Sequence, residues 1–334
     1  MTVDNPAPDR LVIRLPNWLG DVVMALPAVT AVREAFPSAH LTVAAIGSIA
    51  PMFEEVTPLR PQQIVVVDKP REVALLRAAT ADAILLLPNS FRSAWVAKRS
   101  GIPQRWGYAA GIRAPLLTRT VRRPRREMHQ SAYYAELVRG LGIPVEETPP
   151  RIAPTPATGG RAERLLADSI ESGRPIVGFA PGAAYGHAKR WPPDRVAQVA
   201  TRLVREHHAA CVLVGAGADR EAGRAIESSL PPDVSVLNLI GRTDLRLLIG
   251  VLARCRAFVS NDSGAMHLAA AAGVPVTAIF GPTNERATAP LGEQDVLLEP
   301  VFCRPCMLRE CPIDHRCMKR ISPDAVFASV ARRL

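Results

Sequence analysis

An aspartate placed just after an apolar strand-like run can take a proton from a hydroxyl group. Asp21 stands there, closing the run Asn17-Trp18-Leu19-Gly20-Asp21. Two readings fit it: an N-terminal helix cap worth about 1 kcal/mol, or a general base. A second candidate is the stretch Pro181-Gly182-Ala183-Ala184-Tyr185-Gly186-His187-Ala188-Lys189-Arg190, a glycine-containing loop that ends in two cations. Such a loop lets the backbone approach a diphosphate while Lys189 and Arg190 supply charge; its bland counterpart is a solvated basic loop. A third, Asn261-Asp262-Ser263-Gly264-Ala265-Met266-His267, leaves another apolar run and opens a helix. Its first-turn N–H groups would form an anion site, the alternative being a plain capping box, and nothing in the spacing requires His267 to be catalytic. Four of the six cysteines follow the pattern Cys303-x2-Cys306-x4-Cys311-x5-Cys317. Four thiolates so spaced suit a structural zinc site; the other readings are an iron–sulfur cluster or a set of free thiols, while Cys211 and Cys255 read as core residues.

Positioning these groups takes strands and helices in alternation. Buried strands are expected at residues 11–15, 41–45, 64–67 and 83–87, with helices at 22–35, 50–56 and 71–79, then a helix at 130–140. This order implies a parallel sheet covered by helices. Residues 144–160 are crowded with Pro and Thr and read as a linker. The alternation then resumes, with strands at 176–180, 211–214, 235–238, 257–260 and 276–280 and helices at 195–206, 244–254 and 265–272. The expected organisation is a Rossmann-like domain over 1–150, a linker at 151–160, a second Rossmann-like domain over 161–322 and a C-terminal helix at 323–334. Ligands of two such doubly wound α/β domains bind at the C-terminal strand ends, in a cleft between them.

The 334 residues are 48% hydrophobic, enough to bury two cores, and carry a formal charge of +10. That charge points to an anionic partner without identifying it. The first ten residues hold acids and prolines where an export signal needs a basic patch and an apolar core, so a cytoplasmic protein with reduced thiols is expected. The uncharged stretch 264–284 approaches a bilayer span in length, but Gly273-Val274-Pro275 breaks it. Gly215-Ala216-Gly217 starts a dinucleotide fingerprint whose third glycine is replaced by Arg220, which weakens an oxidoreductase reading. No Walker A loop occurs. Only 5% of residues are aromatic and no nucleic-acid-binding module is present, so nucleic acid is not an expected partner. Residues 83–126 contain no Asp or Glu yet hold ten Lys and Arg residues, among them Arg92, Arg105, Arg122, Arg123, Arg125 and Arg126.

Taken with Leu87-Pro88-Asn89-Ser90-Phe91-Arg92-Ser93-Ala94, Gly101-Ile102-Pro103, Ala188-Lys189-Arg190-Trp191-Pro192 and Gly281-Pro282-Thr283, these ordered motifs resemble the heptosyltransferase family. The likeness covers almost the whole chain and is strongest to the lipopolysaccharide type II branch. The resemblance implies a GT-B fold, the first domain receiving a lipid A–core acceptor and the second ADP-heptose. It implies Asp21 as catalytic base and Lys189 as the donor-phosphate lysine, acting in catalysis with it. It further implies donor binding by Gly182, Ala183, Arg190 and residues 262–267, and an acidic ribose ligand after the 211–214 strand, Glu221 or else Asp219. Asn89, Ser90, Arg92 and Arg105 are expected on the acceptor. The implied reaction is inverting transfer of L-glycero-D-manno-heptose to heptosyl-Kdo-lipid A, the alternatives being type I or another ADP-sugar transfer. No Asp-x-Asp triplet occurs, so no metal cofactor is expected for catalysis. Peripheral contact with the anionic inner face of the inner membrane is expected of the basic region.

Overall fold

Short, mostly apolar runs buried on both faces make the central strands; this is the pattern of parallel sheets sandwiched by helices. The computed structural model describes residues 7–334. In chain order the first part contains β1 (Arg10–Arg14), α1 (Leu19–Ala35), β2 (His40–Ile46), β3 (Gln63–Val67), α2 (Glu72–Ala78), β4 (Ala83–Leu86), α3 (Phe91–Arg99), β5 (Gln104–Ala109), β6 (Arg119–Arg122) and α4 (Gln130–Gly140). The second contains α5 (Pro156–Ala167), β7 (Ile176–Ala180), α6 (Pro193–His207), β8 (Ala210–Leu213), α7 (Arg220–Ser228), β9 (Leu237–Asn238), α8 (Leu245–Leu252), β10 (Ala257–Asn261), α9 (Gly264–Ala271), β11 (Val276–Phe280), α10 (Glu285–Thr288), β12 (Gln294–Leu298), α11 (Arg316–Lys319) and α12 (Pro323–Ala331). The chain forms two compact units, one ending at Pro150 and the other running from Arg151 to Leu334.

Each unit holds one six-stranded sheet, in the order β3-β2-β1-β4-β5-β6 in the first and β12-β11-β10-β7-β8-β9 in the second. Both are the Rossmann order, and every pairing is parallel. In the first unit Leu11 sits between Leu41 and Ala83 in register. In the second Val177 sits between Ala257 and Cys211. The strand order therefore reverses between β1 and β4, and again between β7 and β10; such switch points open a crevice at the strands' C-terminal ends.

The stretch expected to be a linker is partly helix. Thr155 caps α5 through its Oγ, which accepts from the Thr158 N–H at 3.4 Å, and Pro156 takes the first helical position, where its missing N–H costs nothing. Ala162 and Leu166 are then buried, with α5 packed on α8. A 3-10 turn, Ala50–Glu54, stands where a longer helix was expected. The uncharged stretch near 264–284 divides into α9 and β11, and among the described residues no helix is long and apolar enough to cross a membrane.

Candidate active site

At the first switch point the chain leaves β1 through Leu15-Pro16-Asn17 and enters α1 at Leu19, with Trp18 as an N-cap residue that makes no side-chain cap bond. Asp21 is thus inside the first turn, which corrects the helix-cap reading. The hydroxyl of Tyr134, a buried residue of α4, donates a hydrogen bond to its carboxylate. Burial pushes the Asp21 carboxyl above the usual carboxylate range, and the Tyr134 bond opposes that shift without cancelling it. Tyr134 itself is held in the protonated form by its own burial and by the neighbouring Asp21 charge.

From β4, Asn89 reaches the same cluster: its Nδ2 donates to the Tyr133 hydroxyl at 2.7 Å, and its Oδ1 is buried with no hydrogen-bond partner. The Tyr133 ring lies 5.9 Å from that of Tyr134 and 4.7 Å from that of Tyr108, whose hydroxyl donates to the Tyr133 carbonyl at 2.6 Å. Arg113, fully buried, braces the loop after β4 by donating to the Pro88 and Tyr108 carbonyls, and burial pushes its guanidinium down to about 10. The tyrosines and Arg113 lie outside the motifs that flag the site. An adjacent aromatic pair, Tyr133-Tyr134, opening a helix was the available signal.

The other expected acceptor residues have structural partners. Ser90 caps α3, its Oγ accepting from the Ser93 N–H at 3.1 Å. Arg92 pairs with the buried Glu72, which also holds Arg14 at 2.9 Å, while its other nitrogen donates to the Lys69 carbonyl at 2.7 Å. Arg105 is not brought to this site. It lies near the start of β5, at the opposite end of the sheet, where its guanidinium is occupied by the carbonyls of Leu116, Ile102 and Pro103.

At the second switch point Asn261, on β10, ties the loop after β7 in place, donating to the Pro181 carbonyl at 2.7 Å and accepting from the Trp191 N–H at 3.2 Å. Lys189 Nζ lies 2.6 Å from Asp262 Oδ2, and the same oxygen accepts from Thr283 Oγ1 at 2.7 Å. Arg190 pairs with Asp219 at 3.4 Å. A Cβ at position 182 would lie 2.1 Å from the Asp219 carboxyl carbon, so any larger residue there must displace that side chain. Ala183 is buried beside it. Of the two acids after β8, Asp219 is the one built into the loop; Glu221 is exposed in the first turn of α7. Ser263 precedes α9 with its Oγ 3.1 Å from Ser260 Oγ, so the first-turn groups at Gly264, Ala265 and Met266 have no side-chain cap from it. His267 is buried.

The cysteine segment crosses this loop. Ala188 N–H donates to the Arg309 carbonyl at 2.9 Å, Tyr185 hydroxyl to the Met307 carbonyl at 2.7 Å, and Arg304 Nε to the Gly281 carbonyl at 3.0 Å. Among the described residues no three His, Cys, Asp or Glu side chains are placed to hold a metal ion, and Cys303, Cys306, Cys311 and Cys317 form no disulfide. Here burial, reinforced by the other three cysteines, pushes the Cys317 thiol up, and Cys311 Sγ accepts the His315 N–H at 3.3 Å.

Glycosyltransferase family 9 (heptosyltransferase) matches residues 73–316. Lipopolysaccharide heptosyltransferase 2 of Salmonella typhimurium is 30% identical over 85% of this chain and 86% of its own length. Lipooligosaccharide heptosyltransferase 2 of Haemophilus ducreyi is 30% identical over 97% of this chain and 99% of its own. A solved structure of Escherichia coli ADP-heptose lps heptosyltransferase II superimposes with a TM-score of 0.83 at 28% identity, covering 97% of this chain and 98% of that one. Two Rossmann-order sheets with a polar cluster at each switch point, together with a family match over most of the sequence, make this a GT-B glycosyltransferase: the chain belongs to glycosyltransferase family 9, the heptosyltransferases.

Proposed function

We propose that this enzyme moves L-glycero-D-manno-heptose from ADP-heptose to the heptosyl-Kdo-lipid A inner core of lipopolysaccharide, with inversion at the anomeric carbon. The chemistry rests above all on Asp21, a carboxylate raised by burial and oriented by Tyr134 at a switch point. The substrate class rests on near full-length similarity to relatives named heptosyltransferase 2. Asp21 takes the proton of the acceptor hydroxyl as its oxygen attacks the anomeric carbon, and the bond to ADP breaks on the opposite face. A raised carboxyl is the better base for such a proton. Negative charge develops on the departing diphosphate, where Lys189 and the N-terminal turn of α9 stabilise it. No covalent glycosyl-enzyme and no divalent metal are needed in this scheme.

The acceptor is assigned to the first unit. Asn89 Oδ1 offers an unused acceptor, and Trp18, Phe91, Trp95 and Ile112 are all exposed on segments that follow the C-terminal ends of β1, β4 and β5. Exposed aromatic and aliphatic side chains beside arginines suit an amphiphilic anionic lipid and the inner face of the inner membrane. Mass spectrometry of reactions with ADP-heptose and two acceptors, one ending in Kdo and one already bearing a heptose, tests the assignment. The heptosylated acceptor should gain one heptose in the presence of EDTA. Transfer to the Kdo acceptor alone would make the enzyme type I, and activity lost in EDTA but restored by magnesium would refute the metal-free scheme.

A further inference from the structure

Three cations at the second switch point are already balanced. Lys189 pairs with Asp262 at 2.6 Å, Arg190 with Asp219 at 3.4 Å and Arg304 with Glu285 at 2.8 Å. Each of these three charges is already matched by a carboxylate, yet a nucleoside diphosphate brings more than one negative charge and gains another when its sugar departs. A site built for that leaving group needs a cation that no carboxylate neutralises.

Arg309 has that property. It is exposed, and among the described residues no carboxylate pairs with it. Its guanidinium carbon lies 5.3 Å from the centroid of the Tyr185 ring, and the same ring carries Lys189 Nζ at 4.6 Å. Stacking on an aromatic face holds a guanidinium without consuming its charge. The backbone beneath is fixed to the Lys189 loop through the Ala188 N–H and the Arg309 carbonyl, and through the Tyr185 hydroxyl and the Met307 carbonyl. The approach is so close that a Cβ at Gly186 would lie 2.4 Å from the Arg309 carbonyl oxygen. Two like charges gathered on one ring, of which only Lys189 has a carboxylate partner, are best relieved by a further anion.

We propose that Arg309, seated on Tyr185, is a donor-binding residue that contacts the sugar-bearing phosphate of the nucleoside diphosphate. The cysteine-rich segment thereby carries a side chain into the donor site. This inference rests on the reading of the second unit as the donor-binding one.

Calorimetric titration of the full-length protein with ADP and with adenosine tests it, using Arg309→Ala, Arg309→Lys, Tyr185→Leu and Lys189→Ala. Loss of one charge-assisted phosphate contact should raise the Kd for ADP about tenfold in Arg309→Ala and leave adenosine unaffected. Arg309→Lys, which keeps the charge but loses the planar stacking group, should recover part of the loss, and Tyr185→Leu should reproduce the loss. The gap between wild type and Arg309→Ala should narrow as salt rises, which a mere displacement of the loop would not produce. If Lys189→Ala weakens ADP binding while Arg309→Ala binds like wild type, Arg309 has no part in the site and the donor assignment stands. If neither substitution changes ADP binding, both ideas fall.

Discussion

Asp21 carries its carboxyl in surroundings that oppose its charge, and Tyr134 restores part of what burial removes. Since the folded-state pKa lies above the ordinary value, the protonated form is the one folding favours. The resulting stabilisation is full below the unfolded pKa and is lost as pH rises through the folded one. At neutral pH the ionised carboxylate therefore costs stability. Asp21→Asn removes both the base and that cost, so turnover should fall about a hundred- to ten-thousandfold while the melting temperature stays level or rises; a melting curve shifted downward would mean that Asp21 holds the helix start after all. The pH–rate profile gives an independent check. The acidic limb of kcat/KM should lie above the usual carboxylate range, and Tyr134→Phe should move it further up, because it deletes the bond that lowers the Asp21 pKa. A limb displaced downward in Tyr134→Phe would refute the proton-acceptor role. Asp21 stood out in the sequence by its place after an apolar run. Tyr134 did not, because the contact joins residues 113 positions apart and needs α1 packed on α4.

Elements meet most tightly where Glu72, the first residue of α2, holds Arg14 from the end of β1 and Arg92 from α3. Arg14 and Glu72 are both buried, so removing one charge strands the other away from water. Glu72→Gln should cost about 3 kcal/mol in urea unfolding, whereas Arg14→Met with Glu72→Leu should cost less, since no unpaired buried charge remains and Arg92 reaches water. An unchanged midpoint for Glu72→Gln would show that Arg14 is satisfied by the Leu15 carbonyl and Asn17 alone. The central strands were legible because a strand buried on both faces is nearly all apolar: residues 176–180, and 276–280 with Thr277 as its one polar residue, have the bounds that the sequence suggests. Strands without such a run pass unread, interior β5 (Gln-Arg-Trp-Gly-Tyr-Ala) among them. Outer strand β6 reads Arg-Thr-Val-Arg, with charge at both ends, and β12 is only half-buried throughout, so both pass for loop. α5 was hidden by Gly159 and Gly160 within it, although Thr155-Pro156 is a favoured pairing of N-cap and first helical residue.

Across the whole molecule, the formal charge of +10 is spread unevenly, and pairing decides how much of it can reach an outside partner. Within residues 83–126, Arg92 is tied to Glu72, Arg105 to backbone carbonyls, Arg113 is buried and Arg126 lies 3.5 Å from Glu136. Arg122, Arg123 and Arg125 are exposed, and among the described residues none of them pairs with a carboxylate. Lys98 and Arg99 are also exposed, beside the stacked pair Phe91 and Trp95. A membrane surface rewards each basic residue near it by about 1 kcal/mol and is screened by salt. Replacing Arg122, Arg123 and Arg125 together by Gln should therefore weaken binding to vesicles rich in anionic phospholipid by about a hundredfold at low salt. Arg105→Gln, made as the comparison, should change it little, because that guanidinium is committed to its own backbone. Trp95→Ser should weaken binding too, but with a loss that persists at high salt, since an interfacial aromatic ring is held by its apolar body. Cosedimentation at two salt concentrations separates the two contributions. If the triple variant binds anionic vesicles as tightly as wild type at low salt, the unpaired arginines serve only as a solvated face, and the acceptor must be met by the polar cluster around Asn89 without help from the surface charge.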